Sequence, residues 1–282
     1  MYKPLSEKSV KRRADEPEKA AGNGRLPLRF AGIPDAPAAL SGREIKQLNQ
    51  AIDAWPELEP GQWHGHVQRQ NHHPNRGINW QNIIEGGDCF EELIDHPSWI
   101  DKVDRYVDNG LYIDEAFVSI RGPGQSINIH AGGHTRSLRG QFRFHNQQFF
   151  CGQINILVAL TAIGSGDGAT MVIPGSHKSN LKHPIFEAEY STLIGKSMDS
   201  ALGAVEVRLG VGDAILFVDA LCHGAASREN CGERRAIIYR YGPRWGNARF
   251  GYEPSIQLLN RLSPVRKRIV QPIKPNRPPE KS

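Results

Sequence analysis

His223 and Arg234 stand eleven residues apart in a stretch, residues 210–241, that is punctuated by Gly, Ser and Asn. A neutral imidazole is a common ligand for iron, and a guanidinium fork fits a carboxylate better than any other side chain. Together they suit a metal that chelates an oxo-acid gripped at its far end. Each also has a plainer use: a His beside a strand as a hydrogen-bonded bystander, an Arg pair as a solvated strand edge. A further imidazole, His130, lies 93 residues before His223 and is followed by small residues, Ala131, Gly132 and Gly133. Other histidines carry weaker signals. His64 and His66 have metal-pair spacing but no third partner, and His177 follows a Pro174-Gly175-Ser176 turn that it would tie down.

These side chains need elements to carry them. The turn Gly210-Val211-Gly212-Asp213 leads into Ala214–Val218, an apolar run of buried-strand length, and residues 235–241 form another. If those two strands were antiparallel neighbours, His223 and Arg234 would face one cavity. Leu111–Arg121 alternates as a strand, Ile127–His130 follows a Gly122-Pro123-Gly124 turn, and residues 152–163 are the longest apolar run, turned by Gly166-Asp167-Gly168 into residues 170–173. Gln153 and Asn155 alternate on that run, so they share a face. Polar groups there need partners, and a cosubstrate is one candidate.

Helices precede the strands. Ser41 with Glu44 is a capping box before Ile45, Leu48 and Ile52, and Pro56 ends that helix. Asp88 with Glu91 repeats the pattern over 88–95, and 98–109 reads as a third helix stopped by Gly110. The polar loop around Trp63 to Trp80 is a candidate lid over the mouth. Helices followed by short strands with Gly turns give a mainly β protein with flanking helices, a sandwich or barrel whose mouth gathers residues from several strands.

The chain has 282 residues, 39% hydrophobic and 23% charged, an ordinary globular composition. No apolar run reaches the ~18 residues of a membrane span, and the N-terminal residues lack the apolar core of a signal peptide. A cytoplasmic protein with reduced thiols is expected, since Cys89, Cys151, Cys222 and Cys231 have neither CxxC nor zinc spacing. The net charge of +5 sits partly in Lys11-Arg12-Arg13 and in Arg266-Lys267-Arg268 onward. No aromatics interleave with those charges, so solvated tails are expected over a nucleic-acid surface. Arg136, Arg139 and Arg143 leave open an anionic small-molecule substrate.

Asp167-Gly168, residues 172–178 (VIPGSHK), residues 212–217 (GDAILF), His223, Arg234 and Tyr241 together resemble the phytanoyl-CoA dioxygenase family, over roughly residues 111–245. The resemblance implies a double-stranded β-helix, a cupin-like jelly roll, using Fe(II), 2-oxoglutarate and O2. It implies His130 and His223 as iron ligands, Arg234 as the clamp on the distal carboxylate, and residues 26–263 as one oxygenase domain. Residues 1–25 and 264–282 would be a disordered basic tail and a Pro-rich basic tail. One departure stands out: the family's His-x-Asp becomes His130-Ala131-Gly132. Three readings follow. Water or another side chain, with His134 and Asp219 as candidates, completes the iron of a hydroxylase. Chloride does so in a halogenase. Or the metal is lost and the chain is a cupin-like binding protein.

Overall fold

Ser41 opens the first helix as its sequence requires. Its side chain accepts from the Glu44 amide while the Glu44 carboxylate accepts from the Ser41 amide, and α1 (Gly42–Asp53) then buries Ile45, Leu48 and Ile52. The computed structural model describes residues 35–36, 38–107, 110–134, 137–186, 201–244 and 253–271, so the tail expected over 1–25 lies outside the described residues. The next two helices, α2 (Asp88–Glu91) and α3 (Ile100–Asp104), are shorter than their patterns suggest. Asp88 is the first helical residue of α2 rather than its cap, because Gly87 at φ 116 takes the cap position.

The strands are, in order, β1 (Asp35–Ala36), β2 (Trp63–His64), β3 (Val67–Arg69), β4 (Ile78–Gln81), β5 (Leu111–Arg121), β6 (Ile127–His130), β7 (Phe142–His145), β8 (Gln148–Cys151), β9 (Ile154–Ala159), β10 (Thr170–Val172), β11 (Val205–Val207), β12 (Ala214–Val218), β13 (His223–Ala225) and β14 (Arg234–Pro243). Helices α4 (Ile256–Arg261) and α5 (Pro264–Val270) follow. Among the described residues, an eight-stranded sheet runs β1-β12-β9-β14-β5-β4-β3-β2 and a four-stranded sheet β11-β10-β13-β6, with β7-β8 a separate hairpin. Each pairing is antiparallel. This is the jelly roll.

Two expectations need correction. β12 and β14 are not neighbours, because β9 lies between them. Successive strands of a jelly roll alternate between sheets, so β13 belongs to the four-stranded sheet and His223 and Arg234 stand on different sheets. The polar stretch around Trp63 to Trp80 is not a free lid: β2, β3 and β4 extend the large sheet from β5.

Register gives that sheet two different faces. Cross-strand partners point the same way, so Arg121, Ser119 and Phe117 of β5 share a face with Arg234, Ala236 and Ile238 of β14. Asn155 of β9 lies opposite both Phe217 and Arg240, and Asn79 and Gln81 of β4 oppose Ser119 and Phe117. This inward face is studded with polar groups. The alternate residues, including Val118, Ile156, Val158, Leu216, Ile237, Tyr239 and Tyr241, are buried in the main apolar core under the helices.

Two tyrosines lock the helices to that core. Tyr239 donates to the Phe90 carbonyl at 2.6 Å, and the Tyr241 hydroxyl faces the Leu93 and Ile94 carbonyls at 3.1 and 3.0 Å while accepting from Trp99 Nε1. The Phe90 carbonyl also accepts from the Leu93 amide at 3.2 Å, whereas the Leu93 and Ile94 carbonyls lie where intrahelical donors run out. Tyr241→Phe is expected to cost about 1–3 kcal/mol by leaving them buried and unpaired, read as a lowered thermal midpoint with 2-oxoglutarate binding unchanged.

The expected C-terminal tail starts later than composition suggests. α5 caps on Ser263, buries Ile269 and Val270 in the core, and is tied by Arg266 to Asp95 at 2.6 Å. Residues 272–282 lie outside the described residues. Among those described, no helix is long and apolar enough to cross a membrane.

Candidate active site

His130 ends β6, His223 opens β13, and the two are direct cross-strand partners. Their ring centroids are 4.1 Å apart with planes at 57°. Each ring is oriented the same way: Nδ1 of His130 lies 2.9 Å from the Asn128 carbonyl, and Nδ1 of His223 lies 2.6 Å from the Leu221 carbonyl. A carbonyl only accepts, so both Nδ1 atoms carry the proton and both Nε2 atoms keep their lone pair. This is the form in which imidazole binds a metal, and the backbone hydrogen bond fixes it. Burial, and then the neighbouring His223, push His130 down to about 3, and burial lowers His223 as well. Both rings are therefore neutral around pH 7. Phe217 lies edge-on to His223 at 4.9 Å.

The turn before β13 is held by a residue that sequence reasoning passed over. Ser176 Oγ donates to the Ile173 carbonyl at 2.7 Å and accepts from the Cys222 amide at 2.8 Å. The Ser of the PGSHK run, rather than its His, thus fixes the backbone beside His223. His177 is buried against the edge of Phe142, with neither ring nitrogen hydrogen-bonded.

Arg234 is fully buried. Its Nη2 reaches Thr170 Oγ1 at 3.4 Å, while Nε and Nη1 have no partner. Burial and the charge of Arg228 push it down to about 10. A guanidinium does not deprotonate under ordinary conditions, so the shift measures a cation short of an anion. Thr170 gave no sequence signal. It sits two residues from Val172, which pairs with His223, so ~7 Å of strand separates the two levels.

Asn155 is fully buried, and neither its oxygen nor its nitrogen has a partner. Gln153 is less available: its Nε2 donates to Asp114 Oδ2 at 2.6 Å, leaving only Oε1 unpaired. The two were expected to act alike, but Asp114 separates them. Of the basic residues weighed for an anionic substrate, Arg139 pairs with buried Asp219 at 3.1 Å, Arg143 is exposed on β7, and Arg136 lies outside the described residues. All four cysteines are free.

The phytanoyl-CoA dioxygenase (PhyH) family description matches residues 30–236. The chain belongs to this family. Dioxygenase cdmD from Talaromyces verruculosus is 40% identical over 89 residues, which cover 32% of this chain and only 24% of that protein's length. HygX from Streptomyces hygroscopicus, solved with nickel and 2-oxoglutarate, superposes with a TM-score of 0.65 at 21% identity, covering 77% of this chain and 84% of its own. The 2-oxoglutarate-dependent epimerase SnoN from nogalamycin biosynthesis gives 0.52 at 17% identity, over 76% and 78% of the two chains. At these identities the structures share the fold.

Against the family's His-x-Asp, Gly132 is closed rather than open. Its φ is +122°, and a Cβ there would lie 2.7 Å from the His134 ring and 2.8 Å from Cys222 Sγ. His134 itself rests on Phe186, with centroids 5.0 Å apart. Among the described residues, no group of three His, Cys, Asp or Glu side chains is placed to hold a metal ion, so neither His134 nor Asp219 completes the family's triad as it stands. Asp219 is 1% exposed, and its charge opposes the lowering of both imidazoles. Gly132→Asp is expected to destabilise the fold by roughly 1–3 kcal/mol from backbone strain alone, even if the His134 ring swings aside, and to add no iron affinity. Thermal unfolding and an iron titration check both.

Proposed function

We propose that this chain is an Fe(II)/2-oxoglutarate oxygenase that hydroxylates a C–H bond of a small polar molecule. Family membership makes it an iron- and 2-oxoglutarate-dependent dioxygenase in kind. What supports the finer reading is a pair of matched imidazoles on one sheet and, on the other, a buried guanidinium with orphaned nitrogens. His130 and His223 would hold the iron through Nε2, with open positions for the keto-acid. Arg234 and Thr170 would take its distal carboxylate, and Asn155 would bond its oxygens near the metal. The bound iron supplies oxidative decarboxylation of 2-oxoglutarate coupled to attack on a C–H bond. The protein binds, orients and excludes water. Asp219, ion-paired with Arg139, would supply the buried negative charge that Gly132 cannot.

Hydroxylation is favoured over halogenation because a Cβ added at Gly132 would meet His134 and Cys222 within 2.8 Å, so the missing side chain leaves little free space beside that backbone. The polar lining beyond the metal supports a hydrogen-bonding substrate. Gln81 donates to Glu115, Glu115 pairs with Arg240, and Gln81 Oε1, Asn79 Oδ1 and Arg240 Nε are buried without partners. HygX, which shares the fold, has been solved with hygromycin B. The test is succinate release from 2-oxoglutarate with iron and ascorbate, with and without chloride, over a panel of polar metabolites. Hydroxylated product regardless of chloride is expected. A chlorinated product would replace this reading with the halogenase, and no iron uptake and no succinate would leave a binding protein.

A further inference from the structure

Arg121 ends β5 directly opposite Arg234, and the two point to the same inward face. Both are buried, Arg121 at 7% exposure and Arg234 at 0%. Like charges placed opposite each other on adjacent strands repel. Burial, and then Arg234, hold the Arg121 guanidinium well below its ordinary range. Neighbouring arginines have carboxylates at hand: Arg228 with Asp167, Arg240 with Glu115, Arg139 with Asp219. Arg121 and Arg234 have no ion pair among the described residues. Their polar contacts are single, long ones: Arg121 Nη1 to the Gly168 carbonyl and Arg234 Nη2 to Thr170 Oγ1, each at 3.4 Å. Nε of Arg121 and both Nε and Nη1 of Arg234 are buried and unpaired.

Two adjacent buried cations without a counter-charge are costly, and removing water strengthens their repulsion. A carboxylate with two oxygens and about four lone-pair sites can answer both. The contacts at residues 170 and 168 put Arg121 one step further from the imidazoles than Arg234. It therefore stands behind the far end of any diacid reaching from the metal. We infer that Arg121 is a second guanidinium on the distal carboxylate of the keto-acid cosubstrate, so that the clamp is a pair of arginines. This rests on the cosubstrate reading of the pocket given above. The same pair makes the site selective for diacids over keto-acids that lack the far carboxylate.

The experiment uses full-length protein loaded with Ni(II) and titrated calorimetrically with 2-oxoglutarate and, separately, with 2-oxobutanoate, which keeps the keto-acid head and lacks the distal carboxylate. R121Q is expected to weaken 2-oxoglutarate by about tenfold or more, the loss of a charge-assisted hydrogen bond, and to leave 2-oxobutanoate within about twofold. R121K, which keeps the charge and loses the fork, is expected to fall between R121Q and the unaltered protein, and it carries the test if R121Q does not fold. Unchanged 2-oxoglutarate affinity overturns the inference. So does an equal loss for both acids, which would mark Arg121 as structural. An unaltered protein that takes up nickel yet binds neither acid overturns the cosubstrate reading itself, and the inference with it.

Discussion

Alanine at position 223 or 130 is expected to abolish iron binding in practical terms, lowering affinity by well over the 10–100-fold typical of residues that merely orient a ligand. Each imidazole is held in one tautomer by a backbone carbonyl, 2.6 Å away for His223 and 2.9 Å for His130. Among the described residues no group of three potential ligands is assembled, so no preformed substitute for either ring stands ready. Two protein ligands are a minimal set, so the loss of one leaves a monodentate site. Asp219→Asn ranks these roles. It keeps the side chain's size and removes a charge that both rings feel while freeing Arg139. A loss of about tenfold or less is expected if Asp219 acts through the field. A loss as deep as that of His223→Ala would make it a direct ligand. Iron titrations monitored by tryptophan quenching, with thermal midpoints alongside, separate both effects from unfolding.

Much of this arrangement was legible in the chain. β5, β6 and β12 fall where alternation and apolar runs put them, because each strand carries enough apolar residues to bury. The His pair and Arg234 stood out through their spacing and their neighbours. Strand pairing did not: local pattern reports burial but not which strand lies alongside, so β9 between β12 and β14 was invisible. The polar strands β2, β3 and β4 read as loop because their His, Gln and Arg residues serve an edge and a polar interior. Gln153 and Asn155 looked equivalent for the same reason. The Asp114 carboxylate that occupies one and not the other is 39 residues away. Arg121 read as an ordinary strand end, since its meaning comes only from facing Arg234.

Register also explains why the cavity can be polar at all. The outward residues of β9, β12 and β14 supply the apolar core, and the tyrosines tie the helices over them. The inward face still contributes Phe117, Leu157, Ile215, Phe217 and Ile238 to that core, but it does not have to be apolar throughout. Unpaired groups such as Asn155 and the Arg234 nitrogens can persist there because a ligand would complete them.

Arg234→Leu is expected to raise the 2-oxoglutarate requirement by a hundredfold or so, about two charge-assisted hydrogen bonds, while iron affinity stays within about twofold. The guanidinium is fully buried and offers two unpaired nitrogens in a fixed fork, and leucine fills part of the volume without any donor. Metal binding should survive because His130 and His223 belong to the opposite sheet and are oriented by their own backbone carbonyls. Removing Arg234 also relieves its repulsion of Arg121, so the apo protein should lose no stability and can gain some. Anaerobic calorimetry with the nickel-loaded protein reads the affinity, and thermal unfolding without cosubstrate reads the relief. An unchanged 2-oxoglutarate affinity would remove Arg234 from the clamp. A lowered apo midpoint would mean that its buried charge is balanced by a protein group, and that the cavity is not built around an anion.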